Sequence, residues 1–351
     1  MPNQHIVPRL FGLTKSNRDF SQKETWGKNQ FNSAFPAALC CYLAAKSLEA
    51  NYLCLSNGSF RTSLIAIADV FTLAPNHQDI YFAFEAQHSP YQKYVIGSLP
   101  RTDLVIQRES TGACLAGLEI KLTALPDHTT CELDEVAYGS ELVIRPDSIA
   151  YLACSIASRF ANLADILPSF HLNDWSDAQE MLEISQMIII SLEKLALELE
   201  QGQKAFLIQP IWKTLGKSAE LAKQCLDVFV WSDAAFLSFI SSIAQKDLMP
   251  KTINRQTRTA IWLYQMLKSI STMGKFNYAQ IIDNLSYNTK NDKAFAPSGN
   301  ITNRFMGCPR LLEPAIRKGE IKHIILGGGQ QLLSPERRFD AIVFNSPDLF
   351  R

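Results

Sequence analysis

The chain has 351 residues, of which 47% are hydrophobic and 19% are charged. This balance excludes a disordered or fibrous protein and suits one large globular domain or two. The most apolar stretch, residues 181–199, is interrupted by Glu183, Glu193 and Lys194. It is therefore a poor candidate for a membrane span.

The start of the chain and its cysteines favour a protein of the reducing cytoplasm. No basic segment followed by a long apolar run occurs near the amino terminus, so a secretion signal is not expected. The eight cysteines include no C-x-x-C pair, which indicates neither a disulfide framework nor a zinc site. Most of them lie in apolar surroundings, as buried thiols do.

Charge is distributed unevenly although the formal net charge is zero. Residues 162–200 contain eight acidic side chains and one basic one, whereas residues 251–351 contain fifteen Lys and Arg against seven Asp and Glu. Such an asymmetry can favour a polyanionic partner. Ordinary solvated surface charge is the alternative interpretation.

The first predicted element is a helix. Asn32 and Pro36 are typical of a helix start, and the apolar residues that follow continue the helix to about Ala50. A β-rich part comes next, in which turn residues separate five predicted strands at 60–72, 80–86, 102–107, 114–123 and 141–145. Pro146 begins another helix, which we expect to run to about Ala161.

The remainder is mostly helical. Residues 176–200 are predicted to form a long and mostly buried helix. Short strands (204–209, 227–231) and helices (234–244, 255–271, 278–285) follow, and then a long polar loop (286–307) and two strands around a glycine-rich connection. This order predicts an α/β fold with a helix-rich elaboration.

Two carboxylates and a lysine lie on predicted strands that are otherwise apolar. Asp103 opens one strand, and Glu119 and Lys121 alternate with Leu118 and Ile120 on the next, so they share one face. The spacing suits a hairpin that brings the two carboxylates together. Such a pair can hold Mg²⁺ at a phosphate, where a lysine could orient the attacking water or stabilise developing charge.

A solvated strand face is the alternative for these residues. A Glu-x-Lys pattern arises by chance in a chain of this length, and a second one occurs at Glu320 and Lys322. Its nearest upstream acid beyond the local turn, Asp292, lies in the polar loop without an apolar strand around it. The pattern at Glu320 and Lys322 is interpreted as an exposed strand edge. For Asp103, Glu119 and Lys121, the pattern alone leaves a catalytic site and a solvated strand face equally open.

An Asp on one strand and Glu-x-Lys on the next, after an amino-terminal helix, resembles the PD-(D/E)xK nuclease superfamily. The segments "LEIKLTALPDHTT" (118–130) and "KNQFNSAFPAALCCYLAAKSLEANYLCL" (28–55) resemble the HindVP family of type II restriction endonucleases. The resemblance implies a mixed central sheet with flanking helices and catalytic roles for Asp103, Glu119 and Lys121, the first two as Mg²⁺ ligands. Thr102 stands where the superfamily motif has Pro.

Two further features bear on the resemblance. Pro126-Asp127 lies after Glu-x-Lys in the chain, so it does not match the first motif and is interpreted as a turn. Some members of the superfamily use another Glu from the amino-terminal helix, and Glu49 is the candidate here. A solvated residue at a helix end is an equally good interpretation of Glu49.

Candidate DNA contacts lie in the basic carboxy-terminal part. Basic residues at a helix start favour phosphate, and Asn and Arg side chains can read base edges bidentately. The candidates are Lys251, Arg255 and Arg258 on the helix, and Asn300, Asn303 and Arg304 in the polar loop. An ordinary solvated loop is the alternative for the second group.

The sequence is therefore interpreted as a Mg²⁺-dependent, site-specific endodeoxyribonuclease that acts on double-stranded DNA as a homodimer. Residues 1–235 would form the nuclease core with a helical insertion, and residues 236–351 the DNA-recognition part of the same domain. The resemblance implies GRCGYC as the recognised site. A repair or junction-resolving nuclease of the same superfamily, or a DNA-binding protein without catalysis, are the alternatives.

Overall fold

The computed structural model describes residues 13, 15–18, 37, 41, 49–56, 59–66, 77–122, 146–170, 174–202, 206–208, 211–214, 224–231, 233–244, 253 and 255–287. Its strands are β1 Glu49–Ser56, β2 Ser59–Ala66, β3 Ile80–Ala86, β4 Val95–Ile96, β5 Thr102–Arg108, β6 Cys114–Leu122, β7 Phe206–Ile208, β8 Ile211–Thr214, β9 Gln224–Trp231 and β10 Phe276–Asn277. Its α-helices are α1 Pro146–Ala157, α2 Ala178–Gly202, α3 Asp233–Ala244, α4 Arg255–Met273 and α5 Tyr278–Asn284. Short 3₁₀ helices occupy Ser89–Tyr94 and Leu163–Asp165.

Most predicted elements in these ranges are confirmed. Strand β3 has the predicted bounds, and β5 and β6 differ from theirs by one residue. The five α-helices are found close to the predicted ranges, and α1 begins at the predicted Pro146, although it ends at Ala157 rather than near Ala161. The predicted strand at 141–145, the loop at 288–307 and the strands after it lie outside the described residues.

The amino-terminal helix was predicted too long. Ala37 and Cys41 are helical and buried, but Glu49 and Ala50 already belong to β1. The physical reason is the β-favouring segment Asn51–Leu55 (NYLCL) within β1. The pairing of β1 with β2 over eight positions outweighs the helix propensity of the alanines before it. Strand β8 was also missed, because four residues carry too little period-two signal.

The described strands form one large sheet with the order β2-β1-β7-β9-β6-β5-β3, and β8 pairs with β9 beside β7. All the pairings described within this sheet are antiparallel. The predicted mixture of parallel and antiparallel strands is therefore not found among them. In the described part of the chain, parallel pairing is limited to the short β4–β10 pair and a bridge from Ser16 to Phe82.

The helices build the main hydrophobic core. Helix α4 packs against α1, α2 and α3, and α2 packs against α3. Ile149, Leu192, Leu237 and Leu263, one from each of these helices, are completely buried. No helix in the described ranges combines the length and apolar character that crossing a bilayer requires.

Helix α1 lies close to the sheet at Gly117 of β6. The Tyr151 hydroxyl donates to the Gly117 carbonyl oxygen at 2.7 Å. A Cβ at position 117 would lie 2.7 Å from both the Cε2 atom and the hydroxyl oxygen of Tyr151. Because real Cβ contacts are not this short, the absence of a side chain at Gly117 is what lets α1 sit against this face of the sheet.

Gly117→Ala is expected to lower the free energy of unfolding by about 1–3 kcal/mol, the usual cost of overpacking. The backbone of Gly117 lies outside the left-handed region, so the penalty is steric. Urea denaturation measures the free energy of unfolding with and without the substitution, first in the wild-type background and then in a Tyr151→Ala background. In that background the added methyl group should cost much less. An equal cost in both backgrounds would contradict the proposed clash.

Candidate active site

The site forms where β6 changes partners. Strand β5 pairs with β6 as far as Leu104 and Leu118, and from Glu119 onward β6 pairs with β9. Asp103 stands one residue beyond the last β5–β6 pair, in register with Glu119. The structure therefore brings the Asp strand and the Glu-x-Lys strand side by side, as the hairpin spacing predicted.

Hydrogen bonds hold the Asp103 carboxylate at this fork. Its Oδ2 atom accepts from the Ile120 backbone N–H at 2.8 Å. Next to it, the buried Thr102 hydroxyl donates to the Leu118 carbonyl oxygen at 3.3 Å. Leu118 and Ile120 are buried while Asp103 is half-buried, so the carboxylate is anchored in the sheet yet reachable from solvent.

The three predicted catalytic positions lie on one face of the sheet. Directly paired residues share a face and alternate residues on a strand return to it. Since Val105 pairs with Gly117, positions 103, 119 and 121 fall on the face that α1 covers at Gly117. On β9, position 119 pairs with Trp231 and position 121 with Phe229. The side chains of Glu119 and Lys121 lie outside the described residues.

Two charged residues that were not predicted from the sequence lie near Asp103, one on β3 and one in the segment beside it. Phe84 pairs with Leu104 and Ala86 with Thr102, which leaves Glu85 opposite Asp103. Glu85 has a positive φ of 47°, which is uncommon for a residue with a side chain. The sequence signal that could have identified Glu85 was its place as a single acidic residue near the end of an apolar strand.

Arg18 is the second of these residues. The Asn17 amide exchanges hydrogen bonds of 2.9 and 2.8 Å with the backbone of Phe84, and this brings Arg18 beside β3. The Arg18 guanidinium lies 3.4 Å from a Glu85 carboxylate oxygen. Burial lowers the pKa of Arg18, while the negative charges of Glu85 and Asp103 act in the opposite direction. Arg18 is thus paired with Glu85 and within electrostatic reach of Asp103. The Arg18–Glu85 pair spans 67 residues of sequence, which no local pattern reveals.

A buried polar chain holds α1 in place behind the site. The Tyr91 hydroxyl donates to Ser155 Oγ at 2.9 Å, and Ser155 Oγ donates to Asp233 Oδ2 at 2.5 Å. Arg159 donates to the same oxygen at 3.0 Å. Burial raises the pKa of Tyr91 to about 12, so its hydroxyl stays protonated as a donor. The chain joins α1 to α3 through groups that are not available for catalysis.

The predicted DNA contacts are only partly within the described residues. Arg255 begins α4, with its side chain outside the description, and Lys251, Asn300, Asn303 and Arg304 lie wholly outside it. Arg258 is 4% exposed. Its guanidinium lies 4.5 Å from the centre of the Trp262 ring and donates to the Ser286 carbonyl oxygen at 3.2 Å.

A basic side chain that contacts DNA phosphates must be exposed to solvent, whereas Arg258 is buried. One helical turn separates Arg258 from Trp262, so the side chain packs along the helix and joins α4 to the segment after α5. In this conformation Arg258 is a packing residue.

Glu49 does not extend from a helix as proposed. It is the first residue of β1 and pairs with Ala66 of β2. Strands β7 and β9 lie between β1 and β6 in the sheet, which separates Glu49 from the Asp103 fork by two strands. A role for Glu49 beside Glu119 therefore loses the structural basis that the sequence suggested.

Carboxylate oxygens at positions 103 and 119 fit the needs of Mg²⁺. This ion keeps several waters and takes only one or two protein carboxylates together with substrate phosphate. Among the described side chains, which do not include that of Glu119, no group of three His, Cys, Asp or Glu could hold a metal ion. The arrangement suits a metal shared with a phosphate.

Comparison with known proteins identifies the family to which the chain belongs. Residues 26–350 match the HindVP restriction endonuclease family. The chain is 52% identical to "Probable type II restriction enzyme HindVP" of Haemophilus influenzae, over 99% of this chain and 96% of that protein. It is 42% identical to "Type II restriction enzyme HgiDI" of Herpetosiphon aurantiacus, over 98% and 97%. No solved structure matches. The chain belongs to the HindVP family of restriction endonucleases.

Proposed function

We propose that the chain is a Mg²⁺-dependent type II restriction endonuclease whose catalytic residues are Asp103, Glu119 and Lys121. The observation that carries this proposal is the fork in the sheet. There Asp103 is anchored by the Ile120 N–H and stands in register with Glu119. Membership of a family whose relatives are named restriction enzymes supports the same reaction.

Each residue has a distinct task in the proposed hydrolysis. Asp103 and Glu119 would hold the ion, which would supply charge stabilisation at a phosphate oxygen and lower the pKa of a water. Lys121 orients the attacking water and neutralises charge that develops on the phosphate. The water oxygen bonds to phosphorus and the water loses a proton to solvent. The bond from phosphorus to the sugar oxygen breaks, and that oxygen leaves as a hydroxyl after it takes up a proton.

The substrate follows from the family and from symmetry. We infer a double-stranded DNA site, with GRCGYC as the sequence that the family resemblance implies. The two strands of such a site are related by a two-fold axis, so a homodimer would place one active site at each strand. Sequencing the ends of fragments cut from linear DNA tests the site. Discrete fragments would also exclude a junction-resolving nuclease, which needs branched DNA.

Asp103→Asn and Glu119→Gln should each abolish cleavage and leave DNA binding largely intact. Asparagine keeps an oxygen that can accept from the Ile120 N–H but loses the negative charge that binds the ion. Plasmid cleavage in Mg²⁺, with EDTA as the blank, measures activity, and a gel-shift assay measures binding. Glu109→Gln is the matched control, because Glu109 is an exposed carboxylate at the end of the same hairpin. An active Asp103→Asn enzyme would end the assignment.

Lys121→Ala should reduce the cleavage rate by about 10²–10³ or more, the usual loss when a charge contact to a transition state is removed. Binding of Mg²⁺, followed by calorimetry, should persist because the carboxylates are unchanged. Thermal unfolding of the variant provides the check on folding. Loss of metal binding together with a lowered melting temperature would assign Lys121 a structural role instead.

Arg255→Ala and Lys251→Ala should weaken binding to cognate and random duplex alike and reduce the salt slope by about one per charge. Asn303→Ala and Arg304→Ala should weaken only the cognate complex, by about 1–3 kcal/mol each. Binding isotherms on both duplexes across a salt series separate the two classes. Equal losses on both duplexes for the second pair would place base recognition elsewhere.

A further inference from the structure

Helix α2 presents an apolar face to solvent. Its inner face is buried in the core, where Met181, Ile188 and Leu192 are completely inaccessible. On the outer face Met187 is 46% exposed, Ile190 42% and Leu197 39%. These are three of the five exposed large hydrophobic residues in the described part of the chain. One helix therefore carries most of this exposed apolar surface.

The exposed positions follow the repeat of a helix-pairing seam. Glu183, Met187, Ile190, Lys194 and Leu197 are all exposed and are separated by four, three, four and three residues. An average of 3.5 residues keeps one stripe of side chains facing a second helix along its length. At about 1.5 Å per residue, the 25 residues of α2 give a helix about 37 Å long. A scattered surface would not keep this spacing.

The order of charges in the seam is self-complementary. From Glu183 to Lys194 it runs acidic, apolar, apolar, basic. Two copies running antiparallel, with the two-fold axis between positions 188 and 189, would place Glu183 against Lys194 and Met187 against Ile190. A parallel arrangement would instead oppose Glu183 to Glu183 and Lys194 to Lys194, which is repulsive.

We propose that the outer face of α2 is the interface between two copies of this chain, paired antiparallel. The four apolar side chains, Met187 and Ile190 from each copy, form its centre, and two Glu183–Lys194 ion pairs flank them. Glu198 lies beyond this centre and falls near the acidic first turn of the second copy, which contains Glu180. This interface assigns a contact surface to the homodimer proposed above, and it rests on that proposal.

Charge exchange tests the interface without DNA. The full-length chain should sediment as a dimer. Glu183→Lys and Lys194→Glu should each weaken dimerisation by about tenfold or more, because like charges then face each other twice per dimer. The double variant Glu183→Lys/Lys194→Glu should regain the dimer. Glu198→Lys is the matched control, and it should not weaken the dimer because position 198 faces an acidic turn.

Three results would overturn the interface. They are a monomeric wild-type chain, single variants that remain dimeric, and a double variant that is folded by circular dichroism but stays monomeric. Failure of this inference is distinguishable from failure of the nuclease proposal. A monomer that cuts DNA at one sequence would reject the interface and the homodimer but leave the catalytic assignment intact. A dimer that cuts nothing in Mg²⁺ would reject the catalytic assignment but leave the interface intact.

Discussion

The architecture of the site depends on one hydrogen bond, which the Ile120 N–H donates to the Asp103 carboxylate. Strand β6 leaves β5 after Leu118 and joins β9 from Glu119, and a buried N–H that loses its neighbouring strand must find another acceptor. Asp103 supplies that acceptor at 2.8 Å. One side chain thus closes the hydrogen-bond network of the sheet and places a carboxylate where the strands diverge.

Rigid elements surround this fork on two sides. Helix α1 rests on β6 through Tyr151 and Gly117 and is joined to α3 by the chain of Tyr91, Ser155 and Asp233. A site held by packed helices and strands keeps its geometry before substrate arrives, which is what transition-state stabilisation requires. Glu85 on β3 and its ion-pair partner Arg18 add opposite charges near Asp103. The electrostatic setting of Asp103 therefore depends on three strands and on the segment near residue 18.

Local sequence patterns determined the elements that carry the site. Alternation of apolar and charged residues from Leu118 to Leu122 predicted β6 and placed positions 119 and 121 on one face, because the strand period is two residues. Asp103 followed from its place at the start of an apolar run at hairpin distance. The helices followed from their apolar patterns, and α1 also from the Pro146 at its start. The resemblance to the HindVP family came from two short segments, residues 28–55 and 118–130, which are likewise local information.

Only the tertiary structure decided which distant segments meet. The order of strands, the place of Glu49 in β1, the approach of Arg18 to Glu85 and the burial of Arg258 all depend on contacts between segments far apart in sequence. Propensity and periodicity act over a few residues, whereas these contacts are selected by the packing of the whole chain. The same reason explains why the amino-terminal helix was predicted to continue to Ala50. Pairing with β2 and β7 draws Glu49–Ser56 into the sheet, and that pairing is absent from the local pattern.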